Sequence, residues 1–120
     1  MNLCIDQGNS RIKVALFDAD NQLRRSFMYR TFSSVELERL FSLYPITNSI
    51  ISSVGTVEPA VVNTLARRSQ RFVLLDHHTK LPIVNLYDTP HTLGQDRLAA
   101  AVGAVSMCKD SNLLIIDAGS

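Results

Sequence analysis

The residues best suited to chemistry lie in Asp6-Gln-Gly-Asn-Ser-Arg-Ile-Lys13, between the apolar runs Leu3–Ile5 and Ile12–Phe17. Both runs read as strands, and the Gly-Asn between them supplies a tight hairpin. An acid thus ends one strand and is followed by a Gly-Asn-Ser turn. Successive turn N–H groups make a concave anion site, and glycine lets the backbone approach phosphate oxygens closely. Lys13 begins the second strand and can aim its ammonium at the same phosphates. An ordinary hairpin with a solvated Asp and Lys explains these eight residues about equally well. The balance moves with Ile115-Ile-Asp-Ala-Gly-Ser120, where a second apolar strand ends in Asp-x-Gly-Ser. Strand-Asp-x-Gly-[Asn/Ser], twice in one chain, suggests a duplicated phosphate-binding device.

A second informative stretch is Leu93–Cys108, a strong helical pattern with Thr92 and Gln95 spaced as a capping box. Its first turn is polar and carries Gly94, Asp96 and Arg97; its body is almost all Ala, Val, Leu and Gly. The small residues Ala99, Ala100, Ala101, Gly103 and Ala104 permit close packing against a sheet or another helix. An acid in a helix's first turn is favourable in itself, so Asp96 with Arg97 as its surface neighbour has a plain explanation. Against it, Gly94 opens space and an unpaired acid–base duo tops an otherwise buried helix. Arginine there can fork onto a carboxylate or carbonyl of a small substrate. Other candidates are weaker. His77 and His78 lack partners at metal-ligand spacing and read as loop histidines, and His91 reads as solvated. Ser10 and Ser120 have no triad partners, which argues against acyl transfer. Tyr87 is either a core aromatic or a pocket hydroxyl.

The elements that must hold these residues follow in order. After the first two strands, Asp18-Ala-Asp-Asn21 turns into a third strand, Gln22–Tyr29, completing an antiparallel meander. Ser33 or Ser34 caps a helix with the stripe Leu37, Leu40, Phe41 and Tyr44, ended by Pro45. Asn48–Val54 is a buried strand. Pro59 opens the next helix, with the stripe Val61, Val62, Leu65 and Ala66 and with Arg67 and Arg68 at its close. Arg71–Leu75 is a short strand, Asp76–Pro90 an irregular connection, and Asn112–Ile116 a further buried strand. The order βββαβαβα predicts an α/β fold with a mixed five-stranded sheet and helices on its faces. That is the ribonuclease-H-like half of actin-like ATPases. Residues 1–111 form one such half-domain, and residues 112–120 the first strand and phosphate turn of a second. A chain ending inside a phosphate turn reads as a piece of a longer protein.

The totals exclude several classes. With 120 residues and 46% apolar content, the chain has enough for one core and is not disordered. A net charge of +1 gives no field that recruits nucleic acid or an acidic membrane. Cys4 and Cys108 read as small core residues in a reducing compartment. No apolar run reaches the ~20 residues of a membrane span, and a signal peptide is lacking. A cytoplasmic protein without nucleic-acid or membrane partners is expected.

Taken together, Asp6–Lys13, Tyr87, Gly94-Gln-Asp-Arg97 followed by Leu-Ala-Ala-Ala-Val-Gly-Ala104, and Asp117-Ala-Gly-Ser120 resemble type III pantothenate kinase. The match holds in order and spacing from first strand to last residue. The resemblance implies ATP-dependent phosphorylation of pantothenate to 4′-phosphopantothenate, the first step toward coenzyme A. It implies that Asp6, Gln7, Gly8, Asn9, Ser10, Arg11, Ile12 and Lys13 bind the ATP phosphates with Mg²⁺, with Asp6 reaching the metal through the phosphates. Ser120 is an ATP contact, where the family usually has threonine. Tyr87, Gly94, Gln95, Asp96 and Arg97 bind pantothenate, and Asp96 is the proton acceptor. Asp117 is a ligand of a required monovalent cation, K⁺ or NH₄⁺. A homodimer with the long helix near its interface is also implied, and the 120-residue piece alone is expected to be inactive. Two rivals remain at this point: a non-catalytic regulatory or interaction protein of the same fold, and a nuclease using Asp6, Asp96 and Asp117 as a two-metal cluster.

Overall fold

The computed structural model describes residues 1–119. Five strands, β1 (Asn2–Gln7), β2 (Ile12–Phe17), β3 (Leu23–Tyr29), β4 (Asn48–Ser53) and β5 (Arg71–Leu74), form one sheet in the order β3-β2-β1-β4-β5. The first three pair antiparallel, while β4 runs parallel to β1 and β5 parallel to β4. Helices α1 (Ser34–Leu43), α2 (Pro59–Arg68) and α3 (Gln95–Met107) complete the expected βββαβαβα order.

Alternation along the strands sorts the sheet into two faces. Leu3 and Ile5 stand beside Leu16 and Val14 on one side and beside Ser49 and Ile51 on the other. Against this face lie Leu37 and Leu40 of α1 and Val61 and Leu65 of α2, and together they make the core. Each fully buried aliphatic side chain contributes about 1.5–3 kcal/mol. The opposite face carries Asn2, Cys4 and Asp6 beside Asn48, Ile50 and Ser52. Helix α3 packs on β4 there, and a shallow hollow lined by Cys4, Ile50, Arg71 and Val73 stays open beside it.

Local chemistry sets the helix limits. Ser33 caps α1 by accepting from Val35 N at 3.2 Å, and Glu36 Oε2 accepts from Ser33 N at 2.9 Å, a reciprocal capping box. Pro59 occupies the first turn of α2, where its missing N–H costs nothing. Arg67 and Arg68 at the end of α2 both pair with Glu38 of α1, tying the two core helices together.

Five expectations need correction. Helix α3 begins at Gln95, preceded by a 3₁₀ turn at Pro90–Thr92. The Thr92–Gln95 capping box is not formed. Thr92 Oγ1 instead donates to Thr89 O at 2.8 Å, a nearer partner created by the turn that Pro90 starts, and Gly94 is the N-cap. Asn112–Ile116 forms no strand, with Leu114 87% and Ile116 80% exposed. A strand needs a neighbour to satisfy its backbone, and among the described residues no strand pairs with this segment. Cys108 is exposed rather than a core residue; Cys4 is half-buried, and both thiols are free. Ala99 and Gly103 are also exposed, because α3 reaches the sheet mainly through Leu98.

The capping box gives a local stability test. Ser33→Ala is expected to cost about 0.5–2 kcal/mol in urea unfolding. Ser42→Ala in the same helix, whose hydroxyl only bonds back to Glu38 O and Arg39 O, should be neutral or slightly stabilising.

Candidate functional site

Parallel pairing brings the carboxyl ends of β1 and β4 side by side, with Asp6 opposite Ser52 and Gln7 opposite Ser53. In open α/β sheets ligands sit outside such strand ends. Gln7 is a strut between the two: its carbonyl accepts from Val54 N at 3.1 Å and its Nε2 donates to Thr56 O at 3.3 Å. The loop 8–11 then returns the chain into β2, closed by Gly8 N donating to Arg11 O at 3.0 Å. A Cβ on Gly8 would lie 3.2 Å from that same oxygen, tighter than an ordinary contact, so a larger residue would press on the turn that closes the loop. The amides of Asn9, Ser10 and Arg11 make no backbone hydrogen bond among the described residues, leaving them free for an anion.

The other members of this stretch divide by role. Asn9, Ser10 and Arg11 are exposed, and Arg11 Nη1 rests on Met28 Sδ at 3.0 Å. Ile12 packs against the core, so its side chain supports the loop. Lys13 is exposed and stands opposite Asp6 across the β1–β2 pair.

Electrostatics joins this loop to the second and third motifs. Partial burial pushes the Asp6 carboxyl above its ordinary value; Lys13 pulls it down, and Asp96 and Asp117 push it up again. Three carboxylates from three distant parts of the sequence therefore share one field. The Asp6 carboxylate accepts no hydrogen bond among the described residues that would offset this. Yet no three His, Cys, Asp or Glu side chains there are close enough to hold a metal ion jointly. That geometry does not support the two-metal nuclease arrangement.

At the start of α3, Asp96 Oδ1 accepts from Arg97 N at 2.9 Å. The carboxylate folds back over Gly94, where an added Cβ would meet Asp96 Oδ1 at 2.5 Å. Glycine at position 94 thus makes room for the acid. Arg97 is exposed and forms no salt bridge among the described residues, so its guanidinium is available to a ligand. Gln95 is partly buried, with its Oε1 enclosed and unpartnered. Tyr87 is half-exposed on the connection after β5, its N–H held by Asn85 Oδ1 at 3.0 Å. Asp117 lies on the irregular segment after α3, and Ser120 lies outside the described residues. His77 and His78, in the connection after β5, and His91, in the 3₁₀ turn, are exposed; the His77 ring lies tilted against His78 and edge-on to His91, with centroids 4.0 and 4.8 Å apart.

Sequence reasoning passed over Ser52. It is buried beside Asp6, and its hydroxyl has no partner. The signal was a pair of hydroxyl residues, Ser52-Ser53, ending an apolar strand that had to run parallel to the one ending in Asp6.

Known proteins with similar sequences point one way. A family model described as type III pantothenate kinase matches residues 2–120. Proteins named type III pantothenate kinase are 42% identical over 120 residues in Phocaeicola vulgatus, 39% over 121 in Bacteroides fragilis and 40% over 121 in Christiangramia forsetii. Each alignment covers 100% of this chain and 49% of the relative. The chain spans about half the length of the curated relatives it matches.

The strained charge on Asp6 has a measurable sign. Its folded pKa is raised, so the stability it contributes is full below the unfolded value of about 3.9 and is lost as pH rises through the folded value. Asp6→Asn cannot ionise and should melt at a higher temperature than wild type at pH 7. The gain should vanish below about pH 3.9. Melting curves of both proteins at the two pH values test this; a lower melting temperature at pH 7 would contradict it.

Proposed function

The chain belongs to the type III pantothenate kinase family, and on that premise we propose that the whole protein phosphorylates pantothenate with ATP. The observation that carries the reading is the shared field of Asp6, Asp96 and Asp117 at the carboxyl end of β1, opposed by Lys13. Phosphoryl transfer requires an anion cradle, charge neutralisation and an oriented alcohol, with little covalent work by the protein. Here loop 8–11 and Lys13 cradle the phosphates, and Asp6, Gln7 and Ile12 hold that loop in place. Tyr87, Gly94, Gln95 and Arg97 line the pantothenate side, with Arg97 as the anchor for its carboxylate. Asp96 accepts the proton of the primary hydroxyl. The freed oxygen pair bonds to the γ-phosphorus while the bond from that phosphorus to the bridging oxygen breaks, and ADP departs with those electrons.

The donor set also fits the cations the family implies. Three carboxylates supply hard oxygen ligands and uncompensated negative charge, yet no three can close on one ion. A Mg²⁺ ion arriving with ATP and keeping water and phosphate ligands suits that spacing; it supplies neutralisation of the phosphate charge. Asp117 is the proposed ligand of a monovalent cation, K⁺ or NH₄⁺, and Ser120 a further ATP contact. Residues 112–120 serve as the opening strand and phosphate turn of a second half in the whole protein. The apolar exposure of Leu114 and Ile116 agrees with that role. No helix among the described residues is long and apolar enough to cross a membrane, and we assign the enzyme to the cytoplasm. A homodimer built near α3 is supported by the exposure of Val105 and Met107.

Two experiments on the full-length protein follow. Asp96→Asn should lower kcat by about 10²–10⁴ with KM little changed, because asparagine keeps the shape but accepts no proton. Arg97→Ala should chiefly raise KM for pantothenate. A well-folded Asp96→Asn enzyme within about tenfold of wild type would return Asp96 to a helix-terminus role, where Asn and Asp are equivalent. Separately, turnover with Mg²⁺-ATP should fall when sodium replaces potassium. Unchanged rates would remove the cation role from Asp117.

A further inference from the structure

The connection from β5 to α3 carries Tyr87, yet its middle is held almost without hydrogen bonds. Between Lys80 and Asp88 a single one forms among the described residues: Asn85 Oδ1 accepts from Tyr87 N at 3.0 Å. The two ends are better fastened. At the first, Asp76 Oδ1 accepts from His78 N at 2.9 Å and Asp76 O from Thr79 N at 3.1 Å. At the second, Thr92 N and Thr92 Oγ1 both donate to Thr89 O, at 2.9 and 2.8 Å. A backbone amide requires an acceptor. For Tyr87 a side chain two residues earlier replaces the carbonyl that a strand or helix would provide.

Burial alternates along the same residues. Leu81, Ile83 and Asn85 are partly buried, while Pro82, Val84 and Leu86 are exposed, which is the period of extended chain. The three inward residues line a hollow of about 170 Å³ together with Pro90 and His91 of the 3₁₀ turn and Leu98 of α3. Leu98 is the buried residue of that helix and directly follows Arg97. Asn85 therefore stands in two relations at once. Its side chain borders the hollow shared with α3, and its Oδ1 fixes the amide of a tyrosine that is not in the lining.

We infer that Asn85 is a positioning residue for substrate binding, whose turn sets where Tyr87 stands relative to the start of α3. This rests on the kinase reading, in which Tyr87 and Gly94–Arg97 line the pantothenate side, and adds to it a residue that touches no substrate. A tyrosine on a segment with no other hydrogen bond samples many positions, and ordering it on binding costs affinity. Asn85 does that ordering in the ligand-free chain, so affinity rises without a new contact.

The test is steady-state kinetics of the full-length protein. Asn85 lies outside the core cluster, so its variants are expected to fold. Asn85→Ala removes the acceptor and should raise KM for pantothenate about three- to tenfold, the worth of one ordinary hydrogen bond. Its kcat and its KM for ATP should change less than about twofold. Asn85→Asp accepts in the same turn and should stay near wild type; Asn85→Ser, a weaker acceptor there, should fall between. Tyr87→Ala should itself raise KM for pantothenate, and adding Asn85→Ala to it should change nothing further, because the positioned side chain is gone. A residue that only stabilises the connection would give the same loss with or without the tyrosine ring, so additive effects would overturn the inference. So would an order of variants that does not follow acceptor strength, or a rise in KM for ATP equal to that for pantothenate. A Tyr87→Ala enzyme with unchanged KM for pantothenate would overturn it too, while leaving the kinase reading in place. Wild type that turns over no pantothenate would overturn that reading and the inference with it.

Discussion

Parallel pairing of β1 with β4 determines both faces of the sheet at once. Because side chains alternate, the register that sets Ile5 beside Ile51 in the core also sets Asp6 beside Ser52 on the other side. A slip by one residue would bury an acid among leucines and expose the core aliphatics. The hydrophobic energy of one face therefore holds the polar geometry of the other. Gln7 reinforces the arrangement by bonding to the chain after β4 through both its carbonyl and its side chain. The site is in this sense a by-product of core packing.

The same arrangement forces like charges together. Asp6, Asp96 and Asp117 come from β1, α3 and the segment after α3, and none would repel the others in an extended chain. Folding places them in one field that Lys13 offsets only in part. Two buried polar atoms, Ser52 Oγ beside Asp6 and Gln95 Oε1 beside Asp96, also have no partner among the described residues. Such local conflicts are expected where a chain is built to receive a ligand, since the ligand supplies what is lacking. Elsewhere the rules agree with one another. The capping box at Ser33, Pro59 at the start of α2 and the Glu38 pairing with Arg67 and Arg68 are all locally consistent.

How much of this was legible follows from the range of each interaction. Strand and helix order could be read because Leu3, Ile5, Val14 and Leu16 alternate, and because Leu37, Leu40, Val61 and Leu65 recur at helical spacing. The acidic motifs were visible because each is a short local pattern, Asp6 before a glycine turn and Asp96 beside Gly94. What failed needed neighbours. Residues 112–116 have strand composition, yet composition cannot supply a pairing partner. Thr92 and Gln95 have the spacing of a cap, but Thr89 competes for the same hydroxyl. Ser52 was missed since its importance comes only from the strand beside it, and a serine in an apolar run looks like filler.

The hydrogen bond between Asn48 and Asn2 joins residues 46 apart in sequence. The meander of β1, β2 and β3, by contrast, closes through short turns. Local contacts form quickly, whereas a pairing across a long loop must first overcome the entropy of closing it. During synthesis the hairpin bearing Asp6 is thus able to assemble while β4 and α3 are still unmade. Asp96 and Asp117 follow β4 in the chain, so Asp6 stands without them while only the hairpin has been made. Order of synthesis thereby keeps the three carboxylates apart until the residues of both core helices, α1 and α2, have been made.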